Sequence, residues 1–154
     1  MPANQIVVHV PRGSASERLA DVRATGSTRR LPRTELVGLV KAFLRDNIGE
    51  PVTVAELSRM AGVSERTLRA AFRDVIGLSP KQYAIAQRLR AAREALASAE
   101  PGTTTVTDVA MAFGFFELGR FAGRYRHVFG EAPSRTLRQS TNSHPQTTWA
   151  AAAK

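Results

Sequence analysis

The chain has 154 residues, with 22 Lys plus Arg against 13 Asp plus Glu, a formal charge of +9 and a hydrophobic share of 43%. That share supports a buried core, while the absence of Cys excludes disulfides, thiolate zinc sites and a cysteine nucleophile. His9, His127 and His144 are too scattered for a metal cluster, no apolar run approaches a membrane span, and Met1–Val10 lacks the basic start and long apolar core of a signal peptide. The composition is that of a soluble, cytoplasmic, basic protein with no expected metal or cofactor. Its first candidate partner is a polyanion.

In chain order, residues 1–31 hold Pro2, Pro11, Gly13, Gly26 and few large apolar side chains, and read as an arm or linker. Ile6–Val10 is a candidate short strand, and Ser14-x-x-Glu17 a candidate cap for a short helix through Val22. Pro32 suits a helix first turn, and Leu36, Leu39, Val40, Phe43 and Leu44 form an apolar stripe up to Ile48, stopped by Gly49 and Pro51. Thr53-x-x-Glu56 is a capping box for a short helix ending at Gly62. Ser64 caps a third helix, with Leu68, Phe72 and Val75 expected inward and Gly77 closing it. Ser79-Pro80-Lys81-Gln82 opens a long helix whose Ile85, Leu89, Ala92 and Leu96 share a face. Pro101-Gly102 breaks the pattern. Thr105-x-x-Asp108 then opens a short helix to Gly114, and a further helix runs from about Glu117 to Phe129 before Gly130. Pro133 starts a last helical segment through Leu137, and Gln139–Lys154 reads as a disordered tail. No β-alternation interrupts this, so the expected fold class is all-α, with about seven helices.

The two halves repeat. Thr53, Val54, Leu57, Ser58 and Gly62 match Thr105, Val106, Val109, Ala110 and Gly114 at an offset of 52. After the glycine the offset is 53, pairing Leu68 with Phe121, Phe72 with Tyr125, Gly77 with Gly130 and Pro80 with Pro133. Each unit is a short capped helix, a glycine turn and a longer helix with an Arg-rich outer face. That is the shape of a helix-turn-helix. Ser58 and Ala110 are small enough for close crossing, Gly62 and Gly114 permit the positive φ of a tight turn, and Val63 and Phe115 plug the space between the helices. A helix about 10–12 Å across fits a major groove about 12 Å wide. Two such units at a fixed offset weigh for nucleic-acid binding over mere bundle packing.

On these residues the sequence resembles the DNA-binding domain of AraC/XylS-type bacterial transcription regulators. Val54–Ala84 followed by Ala86–Ala97 follows that family's first unit. Val106–Gln139 resembles its second, with the Gly114-Phe115 turn, the Phe129-Gly130 end and the following Pro133-Ser134. The resemblance covers roughly Leu36–Arg138. It implies a domain over residues 32–138, with helix-turn-helix units at 53–76 and 105–129 and a connecting helix at 80–99. It also implies sequence-specific binding of double-stranded DNA at the bacterial nucleoid, with both recognition helices in successive major grooves. A connector of about 20 residues rises roughly 30 Å, compatible with groove segments about 34 Å apart.

The outward positions give the candidate contacts. These are Glu65, Arg66, Arg69 and Arg73 on the first recognition helix, and Glu117, Leu118, Arg120, Arg124 and Arg126 on the second. Arg66 and Arg69 suit bidentate pairing with guanine O6 and N7. Glu65 and Glu117 either accept from cytosine N4 or serve the helix dipole. Arg73 and Arg126, deeper in their helices, suit phosphates. Thr53 and Thr105 either offer hydroxyls to phosphate or cap. Arg88, Arg90 and Arg93 on the connector read as a solvated face. Where the family often has an arginine two residues before the core aromatic, this chain has Ala70 and Gly123, and Phe116 stands where a polar cap is usual.

Larger family members place an effector-binding and dimerisation domain before the DNA-binding domain. About 30 preceding residues are too few for one, so no small-molecule effector site is expected here, and a fragment or truncated member is favoured. The competing function is a protein-interaction module docking on transcription machinery such as RNA polymerase, its Arg faces met by acidic protein. An enzyme is a remote third, because no nucleophile elbow or glycine-rich phosphate loop occurs.

Overall fold

The computed structural model describes residues 31–100 and 102–143. Among them are seven helices and no strand: α1 (Arg33–Asp46), α2 (Val54–Met60), α3 (Glu65–Ile76), α4 (Pro80–Ser98), α5 (Val106–Ala112), α6 (Leu118–Phe129) and α7 (Pro133–Ser143). The expected strand at Ile6–Val10, the cap at Ser14, Pro101 and residues 144–154 lie outside the described residues.

Local chemistry sets the boundaries. Both capping boxes form: Thr53 Oγ1 accepts from the Glu56 N–H at 3.2 Å while the Thr53 N–H donates to Glu56 Oε2 at 2.7 Å. Thr105 and Asp108 repeat this at 3.1 and 2.9 Å. Ser79 and Gln82 exchange the same pair of bonds ahead of α4, at 2.9 and 3.2 Å. α1 stops because Asn47 folds back, its backbone N–H and side-chain amide both donating to the Phe43 carbonyl.

The chain divides into two compact units, with the boundary between Gln87 and Arg88, inside α4. In the first, Leu36, Val37, Val40 and Leu44 of α1 pack with Leu57 of α2, Leu68, Ala71 and Phe72 of α3, and Ala84 of α4. Fully burying side chains of this size contributes roughly 1.5–3 kcal/mol each. Val75 is 41% exposed, contrary to its expected inward place. Ile76, one step of about 100° further round the helix, takes the position against the core instead.

In the second unit, Leu89, Ala92 and Leu96 of α4, Val109, Ala110 and Phe113 of α5, and Phe121 and Tyr125 of α6 are buried. Phe115, Phe121, Tyr125 and Phe129 form a run of ring contacts with centroids 5.0, 5.7 and 4.7 Å apart. α7 continues past Leu137 to Ser143, so the segment expected as a tail from Gln139 begins inside a helix. No breaker interrupts it, and buried Ser140 brings its hydroxyl within 3.1 Å of the Ala99 carbonyl oxygen.

The repeat is longer than two helix-turn-helix motifs. At the offset of 52, Val37, Val40 and Leu44 of α1 map onto Leu89, Ala92 and Leu96 of α4, and all six are buried. At 53, Pro80 maps onto Pro133, also both buried. Each unit is therefore α1–α2–α3 plus the start of α4, or the end of α4 plus α5–α6–α7.

Candidate nucleic-acid interface

Both helix-turn-helix turns are built alike. Gly62, at φ 66°, follows α2; its N–H donates to the Arg59 carbonyl and the Val63 N–H to that of Ser58. Gly114, at φ 72°, follows α5; its N–H donates to Met111 and the Phe115 N–H to Ala110. These are the two bonds of a Schellman motif, which needs a left-handed residue and so a glycine. Ser58 and Ala110, expected at the crossing, are buried, and Phe115 plugs the second turn.

The first recognition helix is α3. Ser64 caps it, accepting from the Thr67 N–H at 3.1 Å. Arg66, Arg69 and Arg73 recur at three and four residues and so share one ridge, all exposed. Arg69 Nη2 lies 2.6 Å from Glu65 Oε2, one turn earlier. The ion pair of Arg33 with Asp74 ties α1 to the far end of α3.

The second recognition helix, α6, is laid out differently. Its N-cap is Glu117, whose side chain makes no cap bond but pairs with Arg120 at 2.9 Å. Phe116 is therefore the residue before the cap, not the cap itself: it is the one extra residue of the second turn, and it is 68% exposed. Leu118, which follows the cap, is 41% exposed. Arg120, Arg124 and Arg126 are exposed. Matching the helices by their caps puts Glu65, Arg66, Ala70 and Arg73 opposite Leu118, Gly119, Gly123 and Arg126. The ridge that is cationic in α3 is thus mostly bare in α6. Arg124 matches Ala71, which is buried.

Thr53 and Thr105 act as caps. Their hydroxyls also donate to Glu56 Oε2 at 2.7 Å and Asp108 Oδ2 at 2.6 Å, and a phosphate would have to compete with those carboxylates.

Of the connector arginines, Arg90 and Arg93 are exposed, as a solvated face requires, and Arg88 is the exception. Arg88 is half-buried, its guanidinium 5.2 Å from the Phe115 ring centroid, with Nη1 donating a long 3.5 Å hydrogen bond to the Gly114 carbonyl. Burial, then the nearby Arg124 charge, lowers its pKa from the ordinary arginine value. Arg93 lies 4.7 Å from the Phe129 ring centroid and 3.6 Å from Glu131. Glu131 also accepts from the Thr136 hydroxyl at 2.9 Å, and Thr136 is bonded at 2.9 Å to the buried Tyr125 hydroxyl. Desolvation raises that phenol's pKa from its ordinary value. Sequence alone could have found Arg88 by extending the repeat backwards, since it matches the buried Leu36.

Among the described residues no three His, Asp or Glu side chains group as a metal site requires, and no helix is long and apolar enough to cross a membrane.

A family model described as a helix-turn-helix domain matches residues 57–139. A "Probable thc operon regulatory protein" of Rhodococcus erythropolis is 37% identical over 110 residues, which is 70% of this chain and 33% of that protein. The chain spans about a third of the length of the curated relatives it matches. Among solved structures, an AraC family transcriptional regulator from Rhodopseudomonas palustris CGA009 is 38% identical at a TM-score of 0.64, covering 70% of this chain and 98% of that one. The DNA-binding domain of AdpA, a global transcriptional factor solved in complex with a target DNA, is 28% identical at a TM-score of 0.62, covering 76% and 99%. Its relatives are transcription regulators and not enzymes. The chain belongs to the helix-turn-helix domain family, as an AraC/XylS-type DNA-binding domain.

Proposed function

We propose that this chain is the DNA-reading part of a sequence-specific transcription regulator, with α3 and α6 each entering a major groove of double-stranded DNA, in successive grooves of one site. The observation that carries it is the exposed Arg66, Arg69 and Arg73 ridge on the second helix of a complete helix-turn-helix. Among the described residues no side chain engages the exposed Arg66 fork, which lies near the helix start, where recognition helices reach base edges. Glu65 holds Arg69 and orients it. Arg73, Arg124 and Arg126 neutralise phosphates, and Arg120 joins them once it leaves Glu117. Such a protein works in the bacterial cytoplasm, at the nucleoid, and any contact with RNA polymerase falls to surfaces away from α3 and α6. We assign it no effector of its own.

The test is selection of bound sequences from random duplex DNA, followed by affinity against salt for the best site. A defined site is expected, with log K falling by about 0.9 per decade of salt for each phosphate neutralised. Binding no tighter to any selected sequence than to random DNA would defeat the proposal. It would favour a module that docks on acidic protein.

A further inference from the structure

The two reading helices differ in chemistry where they match in position. Where α3 opens with Glu65 and Arg66, α6 opens with Leu118 and Gly119, preceded by the inserted Phe116. Phe116 and Leu118 are among the most exposed large apolar side chains of the described residues, at 68% and 41%. Solvent penalises the exposed part of both. They flank the N-cap of the second recognition helix, the end from which such helices reach base edges.

The surroundings say what that surface meets. Glu117, between the two apolar residues, is paired with Arg120, and the exposed Arg124 and Arg126 follow in the later turns of α6. On the neighbouring ridge, Gly119 and Gly123 face open space, with no atom outside the local helix backbone within 4 Å of an added Cβ. Gly123, in the helix interior, costs about 0.5–1 kcal/mol relative to Ala, and both glycines let a surface approach the helix backbone closely. An apolar helix start followed by exposed cations along the same helix fits a polyanion that carries apolar groups. In the major groove of DNA only thymine presents one, its C5-methyl.

We propose that Phe116, assisted by Leu118, reads thymine methyl groups, so that the second helix-turn-helix selects by apolar contact while the first selects by hydrogen bonds. This rests on the DNA-reading proposal above. Arg120, held by Glu117 in the free protein and turned to phosphate on DNA, supplies no base-specific donor beside that apolar contact.

The experiment takes the best duplex from random selection and replaces each thymine in turn by deoxyuridine, which removes only the methyl. The full chain and its Phe116→Ala and Leu118→Ala variants are then compared. For the unaltered chain, deoxyuridine at one or two positions of one half-site should weaken binding about fourfold, the factor carried by burying one methylene-sized group. Phe116→Ala should bind the thymine and deoxyuridine duplexes alike, and Leu118→Ala should narrow the difference. Exposed as it is, Phe116 is removable without unfolding, which a thermal melt checks. A selected site whose methyls are all silent, or one with no fixed thymine, overturns this inference alone. So does a methyl effect undiminished in both variants, or a Phe116→Ala variant that binds DNA normally and fails only in transcription, which assigns the patch to a protein partner. A chain that selects no sequence overturns the DNA-reading proposal and this inference together.

Discussion

The guanidinium of Arg88 stacks 5.2 Å from the centre of the Phe115 ring, at the position that Leu36 occupies in the first unit. A partly desolvated cation beside Arg124 stands where the repeat elsewhere places a buried leucine. Replacing such a charge by an apolar side chain removes its desolvation cost and the repulsion, against one 3.5 Å bond and a cation–π contact of roughly 0.5–2 kcal/mol. Arg88→Leu should leave thermal stability equal or higher. A loss of more than about 1 kcal/mol in melting experiments would show that the arginine holds the turn.

Arg66 and Arg73 lie two turns apart on one ridge, and their expected roles differ. Arg66→Ala should cost about 1–3 kcal/mol on the selected site and relax preference at one base pair. Arg73→Ala should weaken all sequences alike and reduce the salt slope by about 0.9. Competition binding with single-base variants separates them, and identical profiles for the two variants would refute the assignment.

The Glu65–Arg69 pair restrains a cation that DNA would otherwise use. Glu65→Gln should raise affinity for random duplex and steepen the salt slope by up to about 0.9. If it instead weakens binding only where the site carries a particular cytosine, Glu65 is a base reader, accepting from N4.

The Thr53 cap contributes typically about 1 kcal/mol, so Thr53→Ala should lower stability by that order in a denaturant titration. Glu56 adds a pH signature. The Thr53 backbone N–H, then its hydroxyl, then Arg59, hold its carboxyl below the ordinary 4.5. A folded-state pKa below the unfolded one gives stabilisation that is present above the ordinary value and lost as pH falls through the folded one. The stability advantage of the wild type over Glu56→Ala should therefore hold at neutral pH and shrink as pH drops below about 4.5. An advantage constant down to pH 3 would count against the capping box as its source.

Most of the architecture is written in local signals. Thr53, Thr105 and Ser79 announce helix starts, and Gly62 and Gly114 announce turns, because each meets a backbone requirement settled within a few residues. Features that depend on neighbours distant in sequence were not legible that way. Val75 has the right periodicity for burial, yet Ile76 takes the core position. Arg88 looks like a solvent-facing charge until Phe115 arrives beneath it, while Arg93 stays exposed and adds a contact with Phe129. The tail from Gln139 looked too polar to fold, but its first residues continue α7, and Ser140 is anchored to Ala99. In the site, the Arg66 ridge was readable from spacing. The imbalance between α3 and α6 emerged only when their caps, Ser64 and Glu117, fixed the register.

The boundary between Gln87 and Arg88 falls inside a helix, so the last turns of one unit are covalently continuous with the first turns of the next. Pro133 stands to the second unit as Pro80 stands to the first, and α7 opens in the same register as α4. That makes the repeat extensible by design. In the register of the repeat Ser140 is the match of Gln87, so the end of α7 stands where, one unit earlier, the helix runs on into the next core.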